Sequence, residues 1–178
     1  MQFYPVLAQL STDQDQPSTP APRLADGNIY LGGSKVWECN RDNLMKYVPE
    51  GFCLPPGGPR LMGTPYPAEI IQDRGRILVI FEGGGRVWRE IHMVGREHPP
   101  AAELNPTYFG HLVGHWEGDT LVVDTVGCNE KTWLDFGGHM HSDQLHTVER
   151  FSCPFKEVLH YESVIDDPGA YSAPWTVA

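Results

Sequence analysis

The chain has 178 residues, a formal net charge of -10 at pH 7, and 40% hydrophobic and 20% charged residues. This size and composition are typical of one globular domain with a hydrophobic core. The acidic balance excludes the basic surface that nucleic acid or an anionic membrane would need. No apolar run is long enough to span a membrane, so we expect neither partner.

The N-terminal region divides into an arm and the start of the folded domain. Residues 1–26 are polar and contain several prolines, which predicts an extended arm through which two copies could form a homodimer. The predicted domain comprises residues 27–178 and opens with a strand pair at 28–38. The chain has no recognisable secretory signal, so we expect a cytoplasmic protein if the chain is complete.

A proline-rich segment precedes the main run of strands. Residues 51–67 contain five prolines and four glycines, which predicts an irregular loop that serves as a lid or cavity wall. The runs 68–72 and 76–82 then predict a hairpin with its turn at 73–75. The second run, RILVIFE, is apolar enough to be predicted as buried on both faces.

The next predicted strand, at 86–94, carries Arg89 on the same face as Ile91. A long basic side chain on an apolar face either reaches solvent at a barrel mouth or is buried against a carboxylate. Glu149 and Asp135 are the candidate partners. A buried arginine could also bind an anionic oxygen of a substrate.

Two runs at 108–116 and 120–126 predict a hairpin with a two-residue turn. That register places His111 and His115 on the same face as Asp124, where a histidine and a carboxylate could act as a general base and its orienting acid. A slip of one residue would separate them. The alternative is a solvent-exposed face that happens to carry these residues.

The remaining runs complete an all-β prediction. Runs at 145–152 and 158–165 predict a further hairpin, and 174–178 is typical of the start of another strand. Because helical periodicity is nearly absent, we predict a single antiparallel β-barrel of lipocalin-like (calycin) character. The proline-rich loop and the loop 131–142 would lie at one mouth of the barrel.

The segment 110–151 contains five of the eight histidines, together with several acids, and therefore predicts a small-molecule site. His139, His141 and His146, with Glu149, could bind a metal ion. Glycines and turn residues around the first two histidines predict a loop, in which the rings need not converge. The alternatives to a metal site are that one histidine of this loop is functional or that none is.

Five aromatic residues could line an apolar pocket: Trp88, Trp116, Trp133, Tyr66 and Phe136. Their alternative place is the hydrophobic core. The sequence has no GxSxG motif, no GxGxxG after a strand and no Walker loop, so we expect no nucleotide and no other cofactor.

The cysteines at positions 39, 53, 128 and 153 are widely spaced and form no CxxC motif. This spacing excludes a zinc ribbon and leaves zero, one or two disulfides open. In an intracellular protein we expect free thiols.

Five motifs in order are similar to those of a family of uncharacterised, mostly bacterial and often exported proteins: CLPPGGPR, RVWREIHMVGREHP, GHWEGDTLVVDTVG, KTWLDFGGHMHSDQLHTVERF and DDPGAYSAPW. The resemblance covers residues 52–176 and implies no defined activity. It implies importance for Arg89, His98, Trp116, Glu117, Asp119, Trp133, Asp135, His141, Ser142, Glu149 and Arg150. Val94 stands where the family pattern has an acid.

From these observations we predict a cofactor-independent enzyme that cyclises, isomerises or cleaves a hydrophobic, oxygenated small molecule by acid–base chemistry. His141 is the predicted acid or base, and Asp135 or Glu149 would orient it and raise its pKa. Arg89 would bind an anionic oxygen of the substrate. A metal-dependent enzyme and a non-catalytic, lipocalin-type binding protein are the alternatives.

Overall fold

The structure is a computed structural model that describes residues 44–93 and 95–178. The predicted arm at 1–26, the predicted strand pair at 28–38, and Cys39 lie outside the described residues.

Three short helical segments precede the sheet: α1 (Leu44–Tyr47), a 3-10 helix (Pro49–Phe52) and α2 (Gly58–Met62). Pro49 and Pro59 lie in the first turns of the last two segments, where a fixed φ and a missing N–H are tolerated. The segment predicted as an irregular loop therefore contains helical turns. In the described part of the chain, no helix has the length and apolar character needed to cross a membrane.

The rest of the described chain is one eight-stranded sheet, so the all-β prediction is confirmed. Its strands follow one another in chain order: β1 (Ala68–Gln72), β2 (Arg76–Phe81), β3 (Trp88–His92), β4 (His111–Glu117), β5 (Thr120–Val126), β6 (His146–Phe155), β7 (Val158–Asp166) and β8 (Trp175–Val177). The sheet is curled into a half-barrel. Among the described residues β1 pairs only with β2, and β8 only with β7, so a closed lipocalin-like barrel is not confirmed.

The pairing of β3 with β4 differs from the prediction of a purely antiparallel sheet. Ile91 lies opposite Leu112 in a parallel arrangement, whereas every other pair of neighbouring strands is antiparallel. Parallel neighbours cannot be joined by a tight turn, because the chain must first return along the whole strand. The segment 95–110 provides this return and is called the crossover below.

The strand directions place the long connections at one end of the sheet, called the loop end below. It contains the segments before β1 and β4 and the connections from β2 to β3, from β5 to β6 and from β7 to β8. The proline-rich segment touches the loop 131–142 there, because a Cβ built on Gly57 would lie 2.6 Å from Oγ1 of Thr132. This contact agrees with the predicted meeting of the two loops.

The core lies on one face of the sheet, called the inner face, and the opposite face is the outer face. In β2, Ile77, Val79 and Phe81 are buried, whereas Ile80 is 37% exposed. The prediction that this strand is buried on both faces is therefore wrong. A sheet with one covered face buries only alternate residues, however apolar the others are.

The inner face is filled by side chains from most strands of the sheet and from α2. The main cluster consists of Leu61, Ile77, Val79, Phe81, Ile91, Met93, Leu112, Leu121, Val123 and Phe151. A second cluster, nearer the C-terminus, consists of Cys128, Leu134, Leu145 and Ile165. The described residues thus pack a solid core where a lipocalin would enclose its ligand.

The hairpin of β4 and β5 has the register that a two-residue turn predicts, with Val113 opposite Asp124. Gly118 takes the first central position of the turn with φ +61, a conformation that favours glycine. At the other end of the hairpin, Gly110 has φ +73, and a Cβ there would lie 2.6 Å from the carbonyl oxygen of Val126.

These two glycines give a matched stability test. Gly110→Ala should lower the free energy of unfolding by more than about 2 kcal/mol, because a left-handed conformation and a clash with backbone act together. Gly118→Ala should cost only about 1 kcal/mol, since no atom lies within 4 Å of its added Cβ. Urea denaturation of the two variants checks this, and equal losses would contradict the close approach at Gly110.

Candidate functional site

A buried ion pair joins β3 to β6 across the inner face. Arg89 is 2% exposed and Glu149 is 0% exposed. Nη1 of Arg89 donates to Oε1 of Glu149 at 2.9 Å, and Nη2 donates to Oε2. The hydroxyl of Tyr161 also donates to Oε1, at 2.7 Å. The prediction that Arg89 pairs with a carboxylate is confirmed for Glu149 and is wrong for Asp135.

The electrostatics of this group favour a structural role. Burial by itself would lower the pKa of Arg89, but the charge and hydrogen bonds of Glu149 outweigh it and raise that pKa. Burial and the nearby carboxylate raise the pKa of Tyr161, so its hydroxyl stays a donor. Burial also raises the pKa of Cys128 to about 12. Both terminal nitrogens of Arg89 are bonded to Glu149 and the residue is 2% exposed, so the structure gives no support to the anionic substrate oxygen that the sequence suggested.

Removal of one partner should be costly. Glu149→Leu should lower the free energy of unfolding by about 3–5 kcal/mol, because it leaves the guanidinium of Arg89 buried without a counter-ion. The double variant Arg89→Met/Glu149→Leu should recover most of that loss. As the control, Glu117→Leu breaks only exposed pairs, those with Arg150 and His115, and should leave Tm nearly unchanged. A double variant no more stable than Glu149→Leu would contradict the assignment.

His141 lies in the loop 131–142 and is 5% exposed. Its Nδ1 lies 3.0 Å from the carbonyl oxygen of Ser142, and its Nε2 lies 2.9 Å from Oγ1 of Thr132. Because a carbonyl only accepts, Nδ1 carries the proton, and Nε2 of the neutral ring accepts from the hydroxyl of Thr132. Burial lowers the pKa of His141, whereas the sequence prediction was that a carboxylate raises it.

Neither predicted orienting acid contacts His141. Glu149 is bonded to Arg89, and Asp135 is bonded within its own loop. Asp135 accepts from the backbone N–H groups of Gly137 and His139 and lies 2.5 Å from Nδ1 of the His139 ring. Burial would raise the pKa of Asp135, but the contacts with His139 more than offset it and lower that pKa. The carboxylate therefore fixes the conformation of the loop.

Asp167 is the acid that holds this loop to the rest of the domain, and the sequence reasoning did not identify it. It is 1% exposed and accepts hydrogen bonds from the backbone N–H and the hydroxyl of Ser142. It also accepts from the backbone N–H of Gly169 at 3.1 Å. The only sequence signal was the Asp-Pro-Gly turn that it begins.

The three histidines of the alternative metal site are not brought together. His139 is bonded to Asp135, His141 to Thr132 and Ser142, and His146 to Asp124. Within residues 44–93 and 95–178, no group of three or more His, Cys, Asp or Glu side chains is arranged to bind a metal ion. The predicted ligand set fails because its first two members lie in a loop that directs each ring to a different neighbour.

The predicted aromatic pocket is also dispersed. Trp88, Trp116, Tyr66 and Phe136 are 62%, 49%, 56% and 49% exposed, whereas Trp133 is 5% exposed. Of the five, only Trp133 and Phe136 contact a common group, the guanidinium of a buried arginine. The alternation of the strands explains part of this, because it places the side chain of Trp88 on the outer face, away from the core.

A chain of hydrogen bonds crosses the outer face near the loop end. Nδ1 of His98 lies 2.8 Å from Nδ1 of His111, and Nε2 of His98 lies 2.8 Å from Oδ1 of Asp124. Oδ2 of Asp124 lies 2.9 Å from Nε2 of His146. We call these four residues the histidine relay. The predicted pairing of Asp124 with His111 or His115 is not formed, because Asp124 contacts His98 and His146 instead, and His98 lies between Asp124 and His111.

The proton positions in the histidine relay follow from the acceptors. A carboxylate only accepts, so His98 and His146 both donate their Nε2–H groups to Asp124. In neutral His98, Nδ1 is then an acceptor and takes the Nδ1–H of His111. This leaves Nε2 of His111 with a free lone pair.

The surroundings of His111 disfavour protonation of its ring. Burial lowers the pKa of His111, and its electrostatic interactions with His98, His92 and Arg96 lower it further. His92 stacks at 5.1 Å between ring centroids, and Arg96 donates to His92 at 3.0 Å. A free lone pair on a neutral imidazole is what a general base requires.

His115, the other histidine of the predicted hairpin site, does not join the relay. Its ring lies 3.2 Å from Glu117, near the far end of the sheet, and its side chain is 60% exposed. A shallow groove of about 360 Å³ also lies at that end, lined by residues that include Arg74, His115 and Trp116. The relay and the groove are therefore separate features.

Cys53, Cys128 and Cys153 are free thiols in the structure. Comparison with protein families, with curated proteins and with solved structures finds no match to this chain.

The lowered pKa of His141 predicts a pH dependence of stability. Because the unfolded ring titrates near its usual pKa of about 6.5, the unfolded state binds more protons as the pH falls below that value, and stability is lost. His141→Gln should therefore lose less stability between pH 7.5 and 5.5 than the wild type does. The exposed His160→Gln serves as the control. Equal pH dependence in all three proteins, measured by urea denaturation, would contradict the burial of a neutral ring.

Proposed function

We propose that the protein is a cofactor-independent enzyme that uses acid–base chemistry on a hydrophobic, oxygenated small molecule, and that the histidine relay transfers the proton. The observation that carries this proposal is the unbroken series of contacts from His111 through His98 to Asp124, each 2.8 Å long. This arrangement differs from the predicted one, in which His141 was the acid or base.

The relay can store a proton away from the point where it is taken up. When Nε2 of His111 accepts a proton, its Nδ1–H can pass to Nδ1 of His98. The positive charge then lies on His98, next to the carboxylate of Asp124. A carboxylate beside an imidazolium stabilises the charged form, as in other histidine–carboxylate pairs of acid–base sites.

Asp124 has a second role, since it also binds His146. The two histidines hold the carboxylate in one orientation and occupy both of its oxygens. The relay is partly open to solvent, with 23% of the His98 side chain and 40% of the His146 side chain exposed. A substrate could reach it without an opening of the core.

The reaction classes that fit this group are isomerisation, cyclisation and elimination, in which one base removes a proton and returns it at another position. The packed inner face gives no support to a lipocalin-type cavity. The separate partners of His139, His141 and His146 give none to the predicted metal-dependent enzyme.

Proton abstraction can be tested without knowledge of the natural substrate. Hydrophobic carbonyl compounds incubated with the protein in D2O should exchange an α-hydrogen for deuterium, followed by NMR. His111→Gln and Asp124→Asn should each slow the exchange by about 10²–10⁴-fold, the usual contribution of a general base. The rate should fall with pH only below the usual histidine pKa, because the pKa of His111 is lowered.

His115→Gln is the matched control, because His115 lies on the same strand and face as His111 but outside the relay. It should retain the full exchange rate. The same rate in His111→Gln as in the wild type would overturn the proposed function. So would NMR evidence that neutral His111 carries its proton on Nε2 rather than Nδ1.

A further inference from the structure

Arg60, on α2, is a buried arginine that the proposed function does not use. Its side chain is 3% exposed. The guanidinium lies 5.5 Å from the ring centroid of Trp133 and 4.6 Å from that of Phe136. Both aromatic residues come from the loop 131–142, so this cluster lies at the loop end of the sheet.

The hydrogen bonds of Arg60 are incomplete. Nη2 lies 2.8 Å from Oε1 of Glu50. Nε and Nη1 are buried and have no hydrogen-bond partner among the described residues, and neither does Oε2 of Glu50. A buried donor without a partner is costly, and a charged one more so. Such groups in a folded protein point to a missing water, ion or ligand.

A second nearby carboxylate, that of Asp135, does not supply the missing hydrogen-bond partners of Arg60. Asp135 lies close enough to Arg60 to influence it electrostatically, but its oxygens accept from Gly137 and His139. Arg89 provides the comparison, since both of its terminal nitrogens are bonded to Glu149 and only its Nε lacks a partner. In the described part of the chain, Arg60 therefore has two nitrogens without a partner, and Arg89 has one.

The contacts of Glu50 would allow its side chain to move away from Arg60. It lies in the 3-10 helix, and the backbone hydrogen bonds of this turn are local, from Gly51 to Val48, Cys53 to Glu50 and Leu54 to Pro49. The side chain of Glu50 is 32% exposed. A carboxylate from solution would therefore reach the guanidinium along the path that Glu50 occupies.

We propose that Arg60, Trp133 and Phe136 form a binding site for the carboxylate of a small, flat organic acid, and that Glu50 occupies this site in the free protein. A carboxylate from solution can take two parallel hydrogen bonds from a guanidinium, whereas Glu50 approaches Arg60 with one oxygen only. The two rings favour a flat ligand, because both lie close to the guanidinium and offer faces on which an aromatic acid could stack. Glu50 thus acts as an internal competitor.

The test uses benzoate as the probe and benzamide as its uncharged match, with binding measured by calorimetry. Glu50→Gln should bind benzoate on the order of tenfold more tightly than the wild type, because an amide competes for a guanidinium less well than a carboxylate. Benzoate should also raise the Tm of Glu50→Gln. Benzamide should give neither effect, and Arg60→Lys should weaken benzoate binding because lysine lacks the bidentate edge.

Glu117→Gln is the matched control, since it removes an exposed carboxylate that is also paired with an arginine. It should bind benzoate as the wild type does. Equal affinity of Glu50→Gln and Glu117→Gln, or the absence of saturable binding to Glu50→Gln, would overturn the site. His111→Gln should bind benzoate normally, so a failure here is distinct from a failure of the proposed function.

Discussion

The buried ion pair between Arg89 and Glu149 ties together two strands that could meet only in a curled sheet. Strands β3 and β6 are three positions apart in the sheet, which in a flat sheet would separate them by about 14 Å. Two side chains that stand perpendicular to a flat sheet could not meet across that distance. Their contact therefore requires a strongly curved sheet.

The parallel pairing of β3 and β4 has a second consequence, on the opposite face. It forces the chain to return along the sheet, and the returning crossover carries His98 to His111 and Asp124. An antiparallel hairpin at this point would need only a few residues and would carry no histidine across the outer face. The histidine relay thus follows from the topology, although none of its members is adjacent in sequence to another.

The other polar groups discussed above lie at the loop end. Asp135 and Asp167 fix the loop 131–142 through hydrogen bonds to backbone and side-chain donors, and the fixed loop presents Trp133 and Phe136 to Arg60. These two acids give the loop its shape and have a structural role. The relay and Arg60, in contrast, retain hydrogen-bonding groups without a partner among the described residues, and there we place proton transfer and ligand binding.

The sequence by itself determined the all-β class, most strand positions and the register of β4 and β5, and it named two acids, Glu149 and Asp135, as candidate partners of Arg89. Strand positions and register follow from the alternation of apolar and polar residues and from turn residues, which act locally. A buried charge is costly without an opposite charge, and the chain offers few partners for it. Only the tertiary structure decided which histidines meet Asp124, that His141 is bonded to Thr132 rather than to an acid, and that Arg60 is buried with unused donors. Those contacts join segments far apart in the chain, and the direction of each side chain is set by a crossover and by loop hydrogen bonds that no local pattern encodes.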